Sequence, residues 1–231
     1  MSEGLITDEK YMRFKDADWF SNIPISVMVA GVGGTGSWSA MLLARAGFYP
    51  ICFDADSYER VNMAGQLISK QQIGKPKVSA IAETIQNYCD MSIYTFNEKV
   101  DENTPVSDYI FSCFDNMKSR KILFKSWSKS EYENGLLIDL RLSAERLQIF
   151  CVTKENKDRY LKHLYTDEEI PDEVCTFKQT SHAAAMIASH AVGFFTNHIV
   201  NVKNQENIRQ VPFFFEYFIP FNITKNEIID E

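Results

Sequence analysis

Ile25-Ser26-Val27-Met28-Val29-Ala30, running straight into Gly31-Val32-Gly33-Gly34-Thr35-Gly36-Ser37, is the stretch whose reading decides the fold. The first six residues form an apolar, β-branched run that reads as a buried strand, and Trp38 to Ala46 has helical composition, with Gly47 placed as a stop. Strand, glycine turn and helix open a dinucleotide-binding βαβ unit. Glycine serves there for the tight turn, for close approach of phosphates and for packing helix on sheet. The N–H groups at the helix start then point at an anion, helped by the helix dipole. Gly31, Gly33, Gly34 and Gly36 are therefore the candidate phosphate cradle; helix–sheet packing alone is the other role open to them.

Outward from this turn, strand and helix patterns alternate. Tyr49 to Asp54 reads as the second strand, followed by a loop to Gln66. A helix starts near Gly74-Lys75-Pro76-Lys77 and runs to about Tyr88. Met91 to Phe96 alternates as a strand, Asp101 to Asp108 is a linker, and Tyr109 to Phe114 is a buried strand ending at Asp115. A helix over about Lys118 to Lys129 precedes a buried strand, Leu136 to Leu140. Arg146 to Val152 follows so closely that it is expected to pair antiparallel. Residues 154–173 are charged and loop-like, Ser181 to Val202 is the longest helical pattern, and Val211 to Phe221 is an aromatic strand. The expected fold is α/β: a Rossmann-like, doubly wound, mostly parallel sheet with late antiparallel strands. Residues 1–24, with Lys10, Arg13 and Lys15 among the aromatics Tyr11, Phe14, Trp19 and Phe20, read as an arm. Residues 25–231 read as a single domain.

The composition narrows the function. With 231 residues, 45% of them hydrophobic and a formal charge of −7, the chain is a folded protein without a general affinity for nucleic acid or anionic membrane. No apolar run approaches the roughly 18–20 residues of a membrane span, since Ser189 and His190 break the most apolar segment. The Met1-Ser2-Glu3-Gly4 start lacks signal-peptide character, and a cytoplasmic protein is expected. Cys52, Cys113 and Cys151 lie in apolar runs as inert thiols, and no CxxC pair points to zinc.

In such a sheet the ligand sits at the carboxyl ends of the strands. Asp54 and Asp56 end the second strand, Asp115 and Asn116 end a later one, and Asp139 with Arg141 end another. Asp54 alone serves an NAD site and an ATP site equally well.

The segment Asp54-Ala55-Asp56 through Asn62-Met63-Ala64-Gly65-Gln66, then Gly74-Lys75-Pro76-Lys77, then Asp115-Asn116-Met117-Lys118-Ser119-Arg120, resembles the signature of the ThiF/MoeB/HesA family. These are adenylyltransferases related to ubiquitin-activating enzymes, and their pattern is D-x-D, N-L-x-R-Q, G-x-x-K and D-N-x-x-x-R. With the glycine turn, the resemblance covers roughly residues 25 to 120. It implies that a carboxylate attacks the α-phosphate of Mg·ATP. Asp115 then matches the Mg2+-binding aspartate, Lys77 the phosphate-contacting lysine, and Asn62 the nucleotide-contacting asparagine. Asp54 would hold the ribose, with Asp56 and Asn116 beside the nucleotide. The substrate implied is the C-terminal carboxylate of a small ubiquitin-like or sulfur-carrier protein, and the assembly implied is a homodimer. Each residue has a plainer role: Lys77 a solvated helix-start lysine, Asn62 a turn residue, Asp56 and Asp115 caps.

One departure stands out. The family arginine between Asn and Gln falls on Gly65, with Arg60, Lys75 and Arg13 as possible substitutes, Arg13 acting across a dimer. Cys175, after a charged loop and close to Lys178, is the candidate nucleophile for a thiol step; a packed, unreactive cysteine is the alternative. A non-catalytic nucleotide- or carrier-binding relative and an NAD-dependent oxidoreductase remain the rival functions.

Overall fold

Residues 8–165 and 180–227 are described by a computed structural model. Eight strands form one sheet in the order β3-β2-β1-β4-β5-β6-β7-β8. The parallel part holds β1 (Ser26–Ala30), β2 (Tyr49–Phe53), β3 (Thr95–Phe96), β4 (Tyr109–Ser112) and β5 (Leu136–Ser143). From β5 onward β6 (Arg146–Val152), β7 (Phe214–Phe218) and β8 (Ile223–Glu227) pair antiparallel. The mixed sheet expected from the sequence is therefore what forms.

Alternation along the strands divides the core in two. Val27, Val29, Phe111, Ile138 and Ile149 face α1 (Gly34–Arg45), α2 (Lys77–Cys89) and α5 (Ser181–Asn204). Met28, Ala30, Ile110, Leu137 and Phe150 face α3 (Met117–Ser128) and Tyr160 of α4 (Lys157–Leu161). Because β1 pairs with β2 on one side and β4 on the other, the carboxyl ends of these three strands lie side by side.

Several boundaries differ from the sequence reading. The strand expected over Met91 to Phe96 shrinks to Thr95–Phe96, since its ladder with β2 reaches only Cys52 and Phe53. The aromatic strand stops at Phe218, where a 3-10 turn carrying Pro220 and a left-handed Asn222 reverse the chain into β8. Within 154–173, α4 replaces part of the loop, and residues 166–179 lie outside the described region. The view that no segment is long and apolar enough to span a membrane is also corrected. Over its best 18-residue window α5 has a mean hydropathy of 1.2, enough by length and composition. Half of that window is buried, and α5 packs on α1, β5 and β6 as a core helix.

The arm lies on its own domain. Tyr11 and Phe20 are buried, and Trp19 meets Phe48 with ring centroids 5.7 Å apart. Lys10 Nζ donates to the carbonyl of Asp90 at the end of α2 (3.2 Å). Lys203, in the last turn of α5, donates to the carbonyls of Phe20 (2.8 Å) and Asp18 (3.1 Å). The arm thus closes over the carboxyl ends of helices, away from the glycine turn.

Candidate functional site

The glycine turn winds directly into α1, whose first residue is Gly34. Gly31 has φ +89°, a left-handed conformation that L side chains rarely adopt, and its N–H donates to the carbonyl of Phe53 (2.8 Å). A Cβ on Gly36 would stand 1.9 Å from the Gly31 carbonyl oxygen, so helix and turn touch there through backbone. Gly33 is different: a Cβ on it would meet nothing within 4 Å. Packing explains Gly31 and Gly36 but leaves Gly33, at the helix N-cap, facing open space.

Around this turn the loop after β2 is fastened at three points. Tyr58 donates its hydroxyl to the Val32 carbonyl (3.1 Å), Trp38 Nε1 donates to the Gly65 carbonyl (3.3 Å), and the Leu67 N–H donates to Ser37 Oγ (3.0 Å). Asp54 accepts the Val32 N–H at 2.7 Å and the Asp56 N–H at 2.8 Å. Burial raises the Asp54 carboxyl above the usual range, opposed by those N–H groups and by Lys77. Lys77, the first residue of α2, brings its Nζ 2.8 Å from Asp56 Oδ2 and 3.9 Å from Asp54 Oδ1. The structure therefore joins Asp54, Asp56 and Lys77 in one cluster beside the glycines.

Asn62 lies in a 3-10 turn, Arg60–Ala64, where its Oδ1 accepts the Glu59 N–H (2.8 Å) in a reciprocal capping box. Its oxygen serves its own turn, leaving the amide N–H2 as the group to offer a nucleotide. Gly65 caps that turn at φ −118°, a value any residue adopts, so the backbone does not require glycine there. Of the substitutes for the missing arginine, Lys75 pairs with Glu83 (2.6 Å), while Arg60 is exposed at the start of the turn.

Three residues beyond β4, Asp115 is exposed and accepts from Asn116 Nδ2 (3.1 Å). Asn116 is also the N-cap of α3, accepting the Ser119 N–H at 2.8 Å. Asp139 and Arg141, expected at a ligand-facing strand end, are buried instead. Asp139, with no exposure, accepts from Arg120, from Arg141 Nε (2.6 Å) and from the Tyr160 hydroxyl (2.9 Å). Arg120 donates further to the carbonyls of Phe114 and of Leu140 (3.1 Å). The motif position of Arg120 was its sequence signal; Tyr160 had none. Among the described residues no three His, Cys, Asp or Glu side chains cluster as a metal cage. A single exposed carboxylate such as Asp115 is the donor set Mg2+ uses when phosphates supply its other ligands.

One expected residue is not brought to this cluster. Arg13 is exposed on the arm, by the far end of α1, and Cys175 lies outside the described residues. His198 is buried and donates from Nε2 to the Asn134 carbonyl (2.9 Å). His182 and His190 line an open groove of about 750 Å3 along α5, not the glycine turn.

Comparison with known proteins agrees with this fold. E. coli MccB solved with ATP superposes with a TM-score of 0.69 at 15% identity, covering 98% of this chain and 73% of that one. PaaA superposes with a TM-score of 0.68 at 18% identity, covering 96% and 73%. In sequence, ubiquitin-like modifier-activating enzyme 5 of Aedes aegypti is 35% identical over 115 residues, 41% of this chain and 29% of the relative. The Dictyostelium discoideum protein of the same name is 32% identical over 158 residues, 55% of this chain and 41% of the relative. The chain thus spans well under half the length of these curated relatives. The ThiF family model matches residues 21–226, nearly the whole chain. The chain belongs to the ThiF family.

Proposed function

We propose that this chain is an ATP-dependent adenylyltransferase acting on the C-terminal carboxylate of a small ubiquitin-like or sulfur-carrier protein. One observation carries the reading: Asp54, Asp56 and Lys77 converge beside a glycine turn whose Gly33 faces open space. Asp115 and Asn116 lie in the short segment between the neighbouring strand β4 and α3. The relatives named as ubiquitin-like modifier-activating enzymes support the substrate class.

The residues divide the work as follows. N–H groups of the glycine turn and first turn of α1 receive phosphate oxygens, and Lys77 turns from the two aspartates toward the phosphates. Asp54 accepts from ribose hydroxyls, while Asn62 and Asn116 contact the nucleotide. Asp115 holds Mg2+, which supplies neutralisation of phosphate charge. A carboxylate oxygen of the carrier attacks the α-phosphorus, the Pα–O bond to the β-phosphate breaks, and pyrophosphate leaves from an acyl-adenylate. No side chain need move a proton at the reacting atoms, so positioning and charge dominate. Arg13, remote from its own glycine turn, acts in the second subunit of a homodimer, and the Cys175 thiol attacks the acyl carbon of the adenylate, breaking its bond to the phosphate oxygen, so that a thioester forms and AMP leaves. The protein works in the cytoplasm.

Gly65 favours a second reading, a relative that binds nucleotide or carrier without turnover. ATP–pyrophosphate exchange in the presence of a carrier separates the two. Exchange is expected in the wild type and is expected to fall by orders of magnitude in Asp115→Ala. That variant should fold, because the Asp115 side chain is exposed and bonded to its neighbour Asn116. Unchanged exchange in folded Asp115→Ala removes the metal assignment. ATP binding without exchange favours the second reading.

A further inference from the structure

We propose that Arg120, clamped on the buried carboxylate of Asp139, is the positioning residue that fixes Asp115 for its metal. The inference rests on the role of Asp115 proposed above. Its basis is a set of bonds converging on the short segment between β4 and α3. The Cys113 N–H donates to the Ala30 carbonyl (2.8 Å) at one end, and Asn116 caps α3 at the other. Between them, Arg120 reaches back from the end of the first turn of α3 to the carbonyl of Phe114, the residue immediately before Asp115. The other guanidinium bonds go to Asp139 and to the Leu140 carbonyl, both on β5. Asp115 touches none of these groups; its backbone is held while its carboxylate stays exposed.

Only arginine suits this place. Its planar fork offers five donors at fixed angles, enough for a carboxylate and two carbonyls at once; a lysine ammonium is a compact point charge. Asp139 pairs with Ser112 in the β4–β5 register, so the clamp anchors the metal-bearing segment to the neighbouring strand. Arg141 shares the same carboxylate but points elsewhere. It donates to the His163 carbonyl (3.0 Å) and stacks on Phe150 with 4.5 Å to the ring centroid. Two arginines of one cluster thus hold different things, which makes the inference testable.

The experiment measures Mn2+ binding to the full chain with ATP present, by electron paramagnetic resonance, alongside ATP binding without metal. Arg120→Lys keeps the buried charge and is expected to weaken Mn2+ roughly 10- to 100-fold, the usual effect of losing a group that orients a metal ligand. Metal-free ATP binding is expected to stay unchanged, as is Mn2+ affinity in Arg141→Met. Should Arg120→Lys fail to fold, Asp139→Asn is read in the same way. Equal weakening in the Arg120 and Arg141 variants, or undiminished Mn2+ affinity in folded Arg120→Lys, overturns the positioning role and leaves Asp115 standing. A wild type that binds no Mn2+ with ATP overturns both.

Discussion

Gly36 lies so close to Gly31 that a Cβ on the helix residue would stand 1.9 Å from the carbonyl oxygen of the turn residue. The two glycines form a backbone contact that no side chain can enter without moving α1 off the sheet. Gly36→Ala is expected to cost roughly 3 kcal/mol or more, as overpacking against rigid backbone does. Gly33→Ala should keep wild-type thermal stability and lose ATP affinity, because the added methyl fills the open space proposed to receive phosphate. Denaturation curves and ATP titrations on both variants check the contrast. Equal destabilisation would reduce Gly33 to a packing residue.

Lys77 is proposed to meet phosphates, not the base. Lys77→Ala should weaken ATP roughly 10- to 100-fold, the range for a lost bond to a charged group, and leave adenosine binding unchanged. The loss includes a repulsive part, since Asp54 and Asp56 then face the phosphates without their shared cation. Isothermal titration with both ligands decides; parallel losses would point to a structural role at the start of α2.

For Cys175 the other thiols provide the controls. Burial pushes the Cys113 thiol up to about 12 and raises Cys52, Cys89 and Cys151 as well. A neutral-pH alkylating agent should therefore mark Cys175 first, read by mass spectrometry of the folded protein. Cys175→Ala should keep pyrophosphate exchange and lose any reductant-sensitive adduct with the carrier. A Cys175 that reacts no faster than Cys89 has no nucleophilic role.

Stability should fall as pH drops through about 6.5, the unfolded histidine value. Burial lowers the folded pKa of His198, with the Asn134 carbonyl opposing, and also lowers His190 and His163. Between the folded and unfolded values the unfolded chain binds more protons, so stability is full above the unfolded pKa and is lost toward the folded one. His198→Gln should flatten the dependence of Tm on pH across that window. A variant whose pH profile matches the wild type would assign the loss to other groups.

Much of this was legible from local pattern. The βαβ start and the order of motifs to Asp115 depend on short-range periodicity and spacing, and their positions stand. The helix after the turn reads as beginning at Trp38, whereas α1 begins at Gly34. Glycines have poor helix propensity, so the first turn is hidden in composition. Ile223–Glu227 carries no apolar alternation because β8 is an exposed edge strand, held by its ladder to β7. Asp139 was expected at a strand end, but β5 runs on to Ser143 and buries it within the strand. The burial depends on Arg120 from α3 and Tyr160 from α4, partners 19 and 21 residues away.

The arm has a consequence for how the chain is made. Asp18 leaves the ribosome early, yet Arg209 and Lys203, which hold it, lie 191 and 185 residues downstream. Until α5 has emerged and packed, the arm that carries Tyr11, Phe14, Trp19 and Phe20 lacks the ties that Lys203 and Arg209 supply. A chain cut short before α5 should therefore be the form that chaperones retain.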